Sequence, residues 1–192
     1  MDIFAFFSET AVGNLLLFLI VITPLLAGLY KKFFLSPKLQ VSLAPLFEGP
    51  VGFAGGNPPT QTLKSQGLLL TAKRATIHNC KAKMVFVDGT SYLTWDSRRD
   101  VVSITQPRTL TRDLLEGEEV LLTIWEAHKN SDGEWFSLKT EREMHGKMEE
   151  FSKKLLSLEL SFLSEEGLLN KKPYRYKVAM DSWAALRMVP IS

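Results

Sequence analysis

The sequence predicts an all-β domain, one antiparallel sandwich with a short helical insertion, preceded by a single N-terminal transmembrane helix. Three observations predict it. Thr10 to Tyr30 runs for twenty-one residues without a charge. After Leu39 the chain breaks into short runs that alternate apolar and polar side chains, the period of a half-buried strand. Asp88-Gly89 and Asp132-Gly133 lie between such runs, and Asp-Gly is a dipeptide that tight antiparallel hairpins favour.

The uncharged run comes first. At about 1.5 Å per helical residue it covers roughly the 30 Å hydrocarbon core of a bilayer. Leu15 to Ile22 contains only Leu, Ile, Val and Phe, the side chains that partition best into hydrocarbon. Asn14 and Thr23 are the polar side chains inside the run, and Pro24 removes one helical hydrogen bond, which membrane helices tolerate. A cleavable signal needs a basic leader, whereas residues 1–9 carry Asp2 and Glu9 and no Lys or Arg. The segment reads as a retained anchor, and it lacks the small-xxx-small pattern of a dimerising helix. Orientation follows the basic residues of the short flanks. Lys31, Lys32 and Lys38 determine it here, placing the N-terminus outside and the C-terminal domain in the cytoplasm. The expected organisation is a flank over 1–9, the span over 10–30, a juxtamembrane linker over 31–38 and the sandwich over 39–192. Fully extended, the linker reaches at most about 30 Å, so the domain stays near the bilayer.

Composition narrows the classes. About 150 residues remain after the anchor, ample for one core. The net charge of the 192 residues is +2. The basic pairs Lys73-Arg74, Arg98-Arg99 and Lys171-Lys172 are not interleaved with aromatics, so no nucleic-acid partner is expected. Cys80 is the single cysteine, which precludes an intramolecular disulfide and agrees with a reducing compartment.

Strand signals then follow in order. Leu39 to Leu43 alternates after Pro37. Glu48 to Gln66, rich in Gly and Pro, reads as a long loop without the Gly-x-x-x-x-Gly-Lys-Ser/Thr of a phosphate cradle. Leu68 to Ala72 is short and apolar. Cys80, Ala82, Met84 and Phe86 share one face of a strand, with Lys81 and Lys83 on the other. Asp88-Gly89 leads to Ser91 to Trp95, and Val101 to Ile104 reads as another short strand. Glu116 to Glu119 turns into Val120 to Trp125, and Asp132-Gly133 turns into Glu134 to Leu138. Met144, Met148, Phe151 and Leu155 recur at helical spacing, which predicts an amphipathic helix within 140–156. Strands resume at Leu158 to Phe162, Tyr174 to Met180 and near Trp183 to Val189. The total, roughly seven to nine strands, is an immunoglobulin-like number.

Catalytic chemistry finds little support. His78, His128 and His145 are too few and too scattered for a metal motif, and Cys80 has no second cysteine. Neither His-Glu-x-x-His nor Gly-x-Ser-x-Gly occurs. Glu118-Glu119, Glu149-Glu150 and Glu165-Glu166 are adjacent pairs whose side chains point apart, which suits surface charge rather than acid–base work. Cys80 on an apolar strand face reads as a small buried hydrophobe. Trp95, Trp125, Trp135 and Trp183 read as core residues.

An anchor, Lys31-Lys32, Ser36-Pro37-Lys38-Leu39 and an all-β domain succeed one another in this chain. That order resembles a class of uncharacterised prokaryotic single-pass membrane proteins bearing an immunoglobulin-like or fibronectin-like sandwich. Ala75 to Met84, Leu93-Thr94-Trp95 and Leu115 to Glu118 fall where such domains have similar residues, and the helical insertion departs from them. The resemblance implies a fold and no activity. The expected function is a non-enzymatic binding or accessory module held at the lipid bilayer, with a protein partner, as in a small subunit of a membrane complex. The alternative is a membrane-tethered enzyme whose site is dispersed in sequence. No catalytic residue, metal ligand or cofactor is expected.

Overall fold

The computed structural model describes residues 18–30, 36–51, 61–87, 89–95, 109–142, 144–152 and 157–191. The chain divides into two units, Met1–Pro37 and Lys38–Ser192. In the first, residues 18–30 form helix α1. Thirteen helical residues rise about 20 Å, less than a bilayer core. Among the described residues no helix is long and apolar enough to cross a membrane. The expected span starts at Thr10, and its residues 10–17 lie outside the described residues, as do Lys31 and Lys32. Phe18, Ile20, Val21, Leu25, Leu26 and Tyr30 are each more than half exposed.

Among its described residues the second unit is all-β apart from one short helix. Its strands are β1 (Lys38–Leu43), β2 (Phe47–Val51), β3 (Gln61–Lys73), β4 (Ile77–Phe86), β5 (Gly89–Tyr92), β6 (Arg112–Leu114) and β7 (Glu119–Asn130). There follow β8 (Gly133–Leu138), β9 (Met144–Lys147), helix α2 (Met148–Ser152), β10 (Leu158–Ser164), β11 (Gly167–Leu168), β12 (Tyr174–Ala179) and β13 (Arg187–Pro190). A six-stranded sheet runs β1-β3-β7-β8-β9, with β2 also on β3. A seven-stranded sheet runs β13-β12-β10-β4-β5, with β11 on β10 and β6 on β4. Every named pair is antiparallel.

Alternation explains the layering. Leu68, Leu70 and Ala72 of β3, with Val120, Leu122 and Ile124 of β7, are buried from one side. Cys80, Ala82 and Met84 of β4, with Leu158, Leu160 and Phe162 of β10, are buried from the other. All belong to one apolar cluster, so the two sheets share a single core, as a sandwich requires. The sheets are also stitched along one margin. The Thr94 amide donates to Lys139 O at 2.9 Å and the Glu141 amide to Tyr92 O at 2.9 Å, flanking the bridge Leu93↔Thr140.

A bulge re-aims the centre of the six-stranded sheet. The β3–β7 register moves from Gln66↔Trp125 to Gly67↔Thr123, so Ile124 has no opposite residue. Ile124 and Trp125 both point inward as a result, and Trp125 stacks on Phe136 at 5.6 Å. Gly67 is obligatory there, because a Cβ would lie 2.0 Å from Leu122 O.

Several expectations change. The described residues hold thirteen strands against the seven to nine expected, because β6 and β11 are too short to show periodicity and β2 lies in the stretch read as loop. Glu48 to Gln66 is largely a hairpin: Phe47 to Val51 pairs with Gln61 to Ser65. Pro50 is tolerated because β2 is paired on one side only among the described residues. Of the helix expected within 140–156, Met148–Ser152 is helical, Met144–Lys147 instead completes the exposed side of β8, and residues 153–156 lie outside the described residues. Lys38 opens β1 opposite Lys73 rather than closing the linker. The strand expected at Val101 to Ile104 lies outside the described residues.

Candidate functional site

Reactive side chains come first. Cys80 is fully buried, and burial pushes its thiol up to about 12. The protonated thiol is a poor nucleophile at neutral pH, and it sits as the small hydrophobe its strand position predicts. His78 is exposed, with Nδ1 3.3 Å from Asp113 Oδ2. Asn79, at φ 50°, donates its backbone N–H to Asp113 Oδ1 at 2.8 Å and its side-chain amide to Glu165. The Asn79 amide, and then His78, hold the Asp113 carboxyl below its usual range. Among the described residues no group of three or more His, Cys, Asp and Glu could hold a metal ion.

The other candidates stay apart. His128 and His145 are on the outer face of the six-stranded sheet, in different rows, opposite Trp135 and Ser137. Glu118 pairs with Arg112 at 3.3 Å, Glu149 and Glu150 open α2, and Glu165 and Glu166 form the β10–β11 turn. Trp95 and Trp125 are core residues. Trp135 is not: it is 36% exposed on the outer face, so the alternating β8 pattern points it outward.

One buried polar group stands out. Lys64 points inward near the start of β3 and is 3% exposed. Its Nζ donates to Trp183 O at 2.8 Å, lies 3.2 Å from Glu48 Oε2, and is 5.3 Å from the Trp183 ring centroid. Trp183 Nε1 in turn donates to Glu48 Oε1 at 3.3 Å. Next to it, Gln66 Nε2 donates to Ala44 O at 3.1 Å and Gln66 Oε1 accepts the Met188 N–H at 2.6 Å. Each polar end has a partner, so these two side chains pin the sheets together instead of waiting for a ligand. Sequence reasoning missed them by reading Glu48 to Gln66 as a loop. The available signal was the even positions Lys64, Gln66, Leu68 and Leu70, which continue one strand face.

The outer faces remain. On the six-stranded sheet Ala44, Pro45, Leu46, Phe47, Leu69 and Leu121 line a shallow apolar depression of about 190 Å³. That is smaller than the roughly 300–1,000 Å³ of a small-molecule pocket. The seven-stranded sheet presents Lys81, Lys83, Arg175, Lys177 and Arg187 outward, with Glu159 the one carboxylate at an outward position of β4, β10, β12 and β13. Exposed Val85, Val189 and Ile191 lie between them. Among the described residues only Arg175 of the five cations has a carboxylate in ion-pair range, Glu159 at 2.8 Å. Comparison with family models, with curated proteins and with solved structures found no match.

Proposed function

We propose that the chain is a membrane-anchored, non-enzymatic binding or accessory module, a small subunit of a membrane complex. The single observation that carries this reading is α1, which has apolar side chains exposed around its circumference. Phe18, Leu19, Ile20, Val21, Leu25, Leu26 and Leu29 are all 44% exposed or more. A helix that is apolar on every side belongs in a protein core or in lipid. In the sequence, the uncharged run that contains α1 begins at Thr10 and has the length a bilayer span needs. Within this reading Lys31 and Lys32 set the orientation, with the domain on the cytoplasmic side. The sandwich is then of the immunoglobulin-like kind, as in the prokaryotic single-pass class it resembles, and offers sheet faces and edge strands to a protein partner. A partner-binding role is supported by the shallow apolar depression on the outer face of the six-stranded sheet.

Alkaline carbonate extraction of membranes carrying the full chain tests the anchor. The protein is expected in the pellet, and the double variant Leu19→Lys, Leu26→Lys in the supernatant. Release of the unaltered chain by carbonate would refute the anchor.

A further inference from the structure

We propose that the outer face of the seven-stranded sheet is a lipid-contacting surface that lies against anionic headgroups. The inference deepens the membrane reading above and rests on it.

Strand register puts the cations on one side. Lys81 and Lys83 alternate with core residues Ala82 and Met84 on β4. Arg175 and Lys177 alternate with buried Tyr176 and Val178 on β12. Arg187, opposite Ala179, adds a fifth on β13. Five positive groups face one negative group along these four strands, while the whole chain carries only +2. The carboxylates at the margin, Asp113 and Glu165, gather around Asn79 at the far end of β4. Four of the five cations have no ion-pair partner among the described residues. Charge of this kind is uncompensated within the face and is complementary to a polyanion.

The side chains between the cations identify the polyanion. Val85, Val189 and Ile191 are 37%, 39% and 42% exposed, and Leu163, opposite Lys81, and Leu168 lie at the other end of the face. Aliphatic groups among lysines and arginines suit the boundary between headgroup and acyl chain. Single-stranded nucleic acid requires aromatic rings on which bases stack. Tyr92 is the aromatic residue at an outward position of these paired strands, and it is half-buried. A phosphatidylserine-rich surface supplies the anion without any demand for stacking. Each basic group near such a surface favours contact by roughly fivefold.

The full chain in lipid nanodiscs provides the test. Because Cys80 is buried, a single introduced cysteine can carry an environment-sensitive dye. One variant carries it on the basic face, Thr90→Cys, and a second on the outer face of the other sheet, Ser42→Cys. Each is compared in phosphatidylcholine alone and in phosphatidylcholine with phosphatidylserine. The account expects a blue shift at position 90 that needs phosphatidylserine, fades with added salt, and is absent at position 42. Lys83→Glu with Lys177→Glu should reduce the docked population by at least tenfold, each reversal counting for about fivefold or more. A shift independent of phosphatidylserine, equal at both positions, or indifferent to the reversals would overturn the proposal. So would tighter binding of a single-stranded oligonucleotide than of phosphatidylserine discs. Insertion into both disc types is read separately by co-migration on size exclusion. Insertion without docking refutes the face alone, whereas failure to insert refutes the anchor.

Discussion

The two sheets share one core and differ in how many of their cations are paired. On the six-stranded sheet three cations are matched: Lys139 lies 2.6 Å from Glu126, Lys129 2.8 Å from Glu134, and buried Lys64 3.2 Å from Glu48, while Lys38, Lys73 and Lys147 at its ends and edge have no carboxylate in ion-pair range among the described residues. On the seven-stranded sheet one pair, Arg175 with Glu159, accompanies four cations unmatched among the described residues. Matching satisfies charge locally, and where it is buried it couples distant parts of the chain. Leaving cations unmatched contributes little to the fold and preserves a field that extends about a Debye length, roughly 8–10 Å, from the surface. Stability should therefore respond to changes in the first sheet and association to changes in the second.

Substitutions can break that contrast. The largest loss is expected from Gly67→Ala, whose new Cβ would meet the Leu122 carbonyl at 2.0 Å. Backbone cannot rotate away, so the bulge must move, at a cost of about 3 kcal/mol or more in urea unfolding. Next comes Glu48→Ala, which leaves the Lys64 ammonium buried with only the Trp183 carbonyl and ring. Glu48 is itself half-exposed, so water recovers part of the lost pairing and the expected loss is about 2 kcal/mol. A smaller effect appears at high pH. The folded Cys80 thiol stays protonated up to about 12, whereas an unfolded thiol ionises near 9.0. Its contribution to stability is thus complete below pH 9 and is lost as pH rises through about 12. Tyr174 and Tyr176, raised by burial, act in the same direction. The difference in melting temperature between the unaltered chain and Cys80→Ala should shrink over that window. The smallest change is expected from Lys177→Glu, within about 0.5 kcal/mol of the unaltered chain. A large loss there would show that the second face is also structural.

Much of this was legible from periodicity. Cys80, Ala82 and Met84 face the core and Lys81 and Lys83 face outward, as the alternation requires. The Asp132-Gly133 turn joins β7 to β8 where its chemistry predicts, with Asn130↔Gly133 closing the hairpin. What escaped was decided by tertiary pairing. Met144 and Met148 fit helical spacing, yet the open side of β8 captures Met144–Lys147 as a strand. Gly146 permits this, since a Cβ there would press within 3.1 Å of the Phe151 ring. Gly49 and Pro50 signal a loop, yet an edge position on β3 needs neither a side chain nor every N–H. Of the candidate surface, Lys81, Lys83 and Lys177 could be placed outward from sequence. Their assembly with Arg175 and Arg187 could not, because strand order β13-β12-β10-β4 is invisible in a linear pattern.

The proposed arrangement holds the domain on the cytoplasmic side of a membrane. The most direct measurement treats intact cells or right-side-out vesicles with protease and follows a tag at the C-terminus. The tag is expected to survive until the membrane is permeabilised. Loss of the tag before permeabilisation would contradict that arrangement.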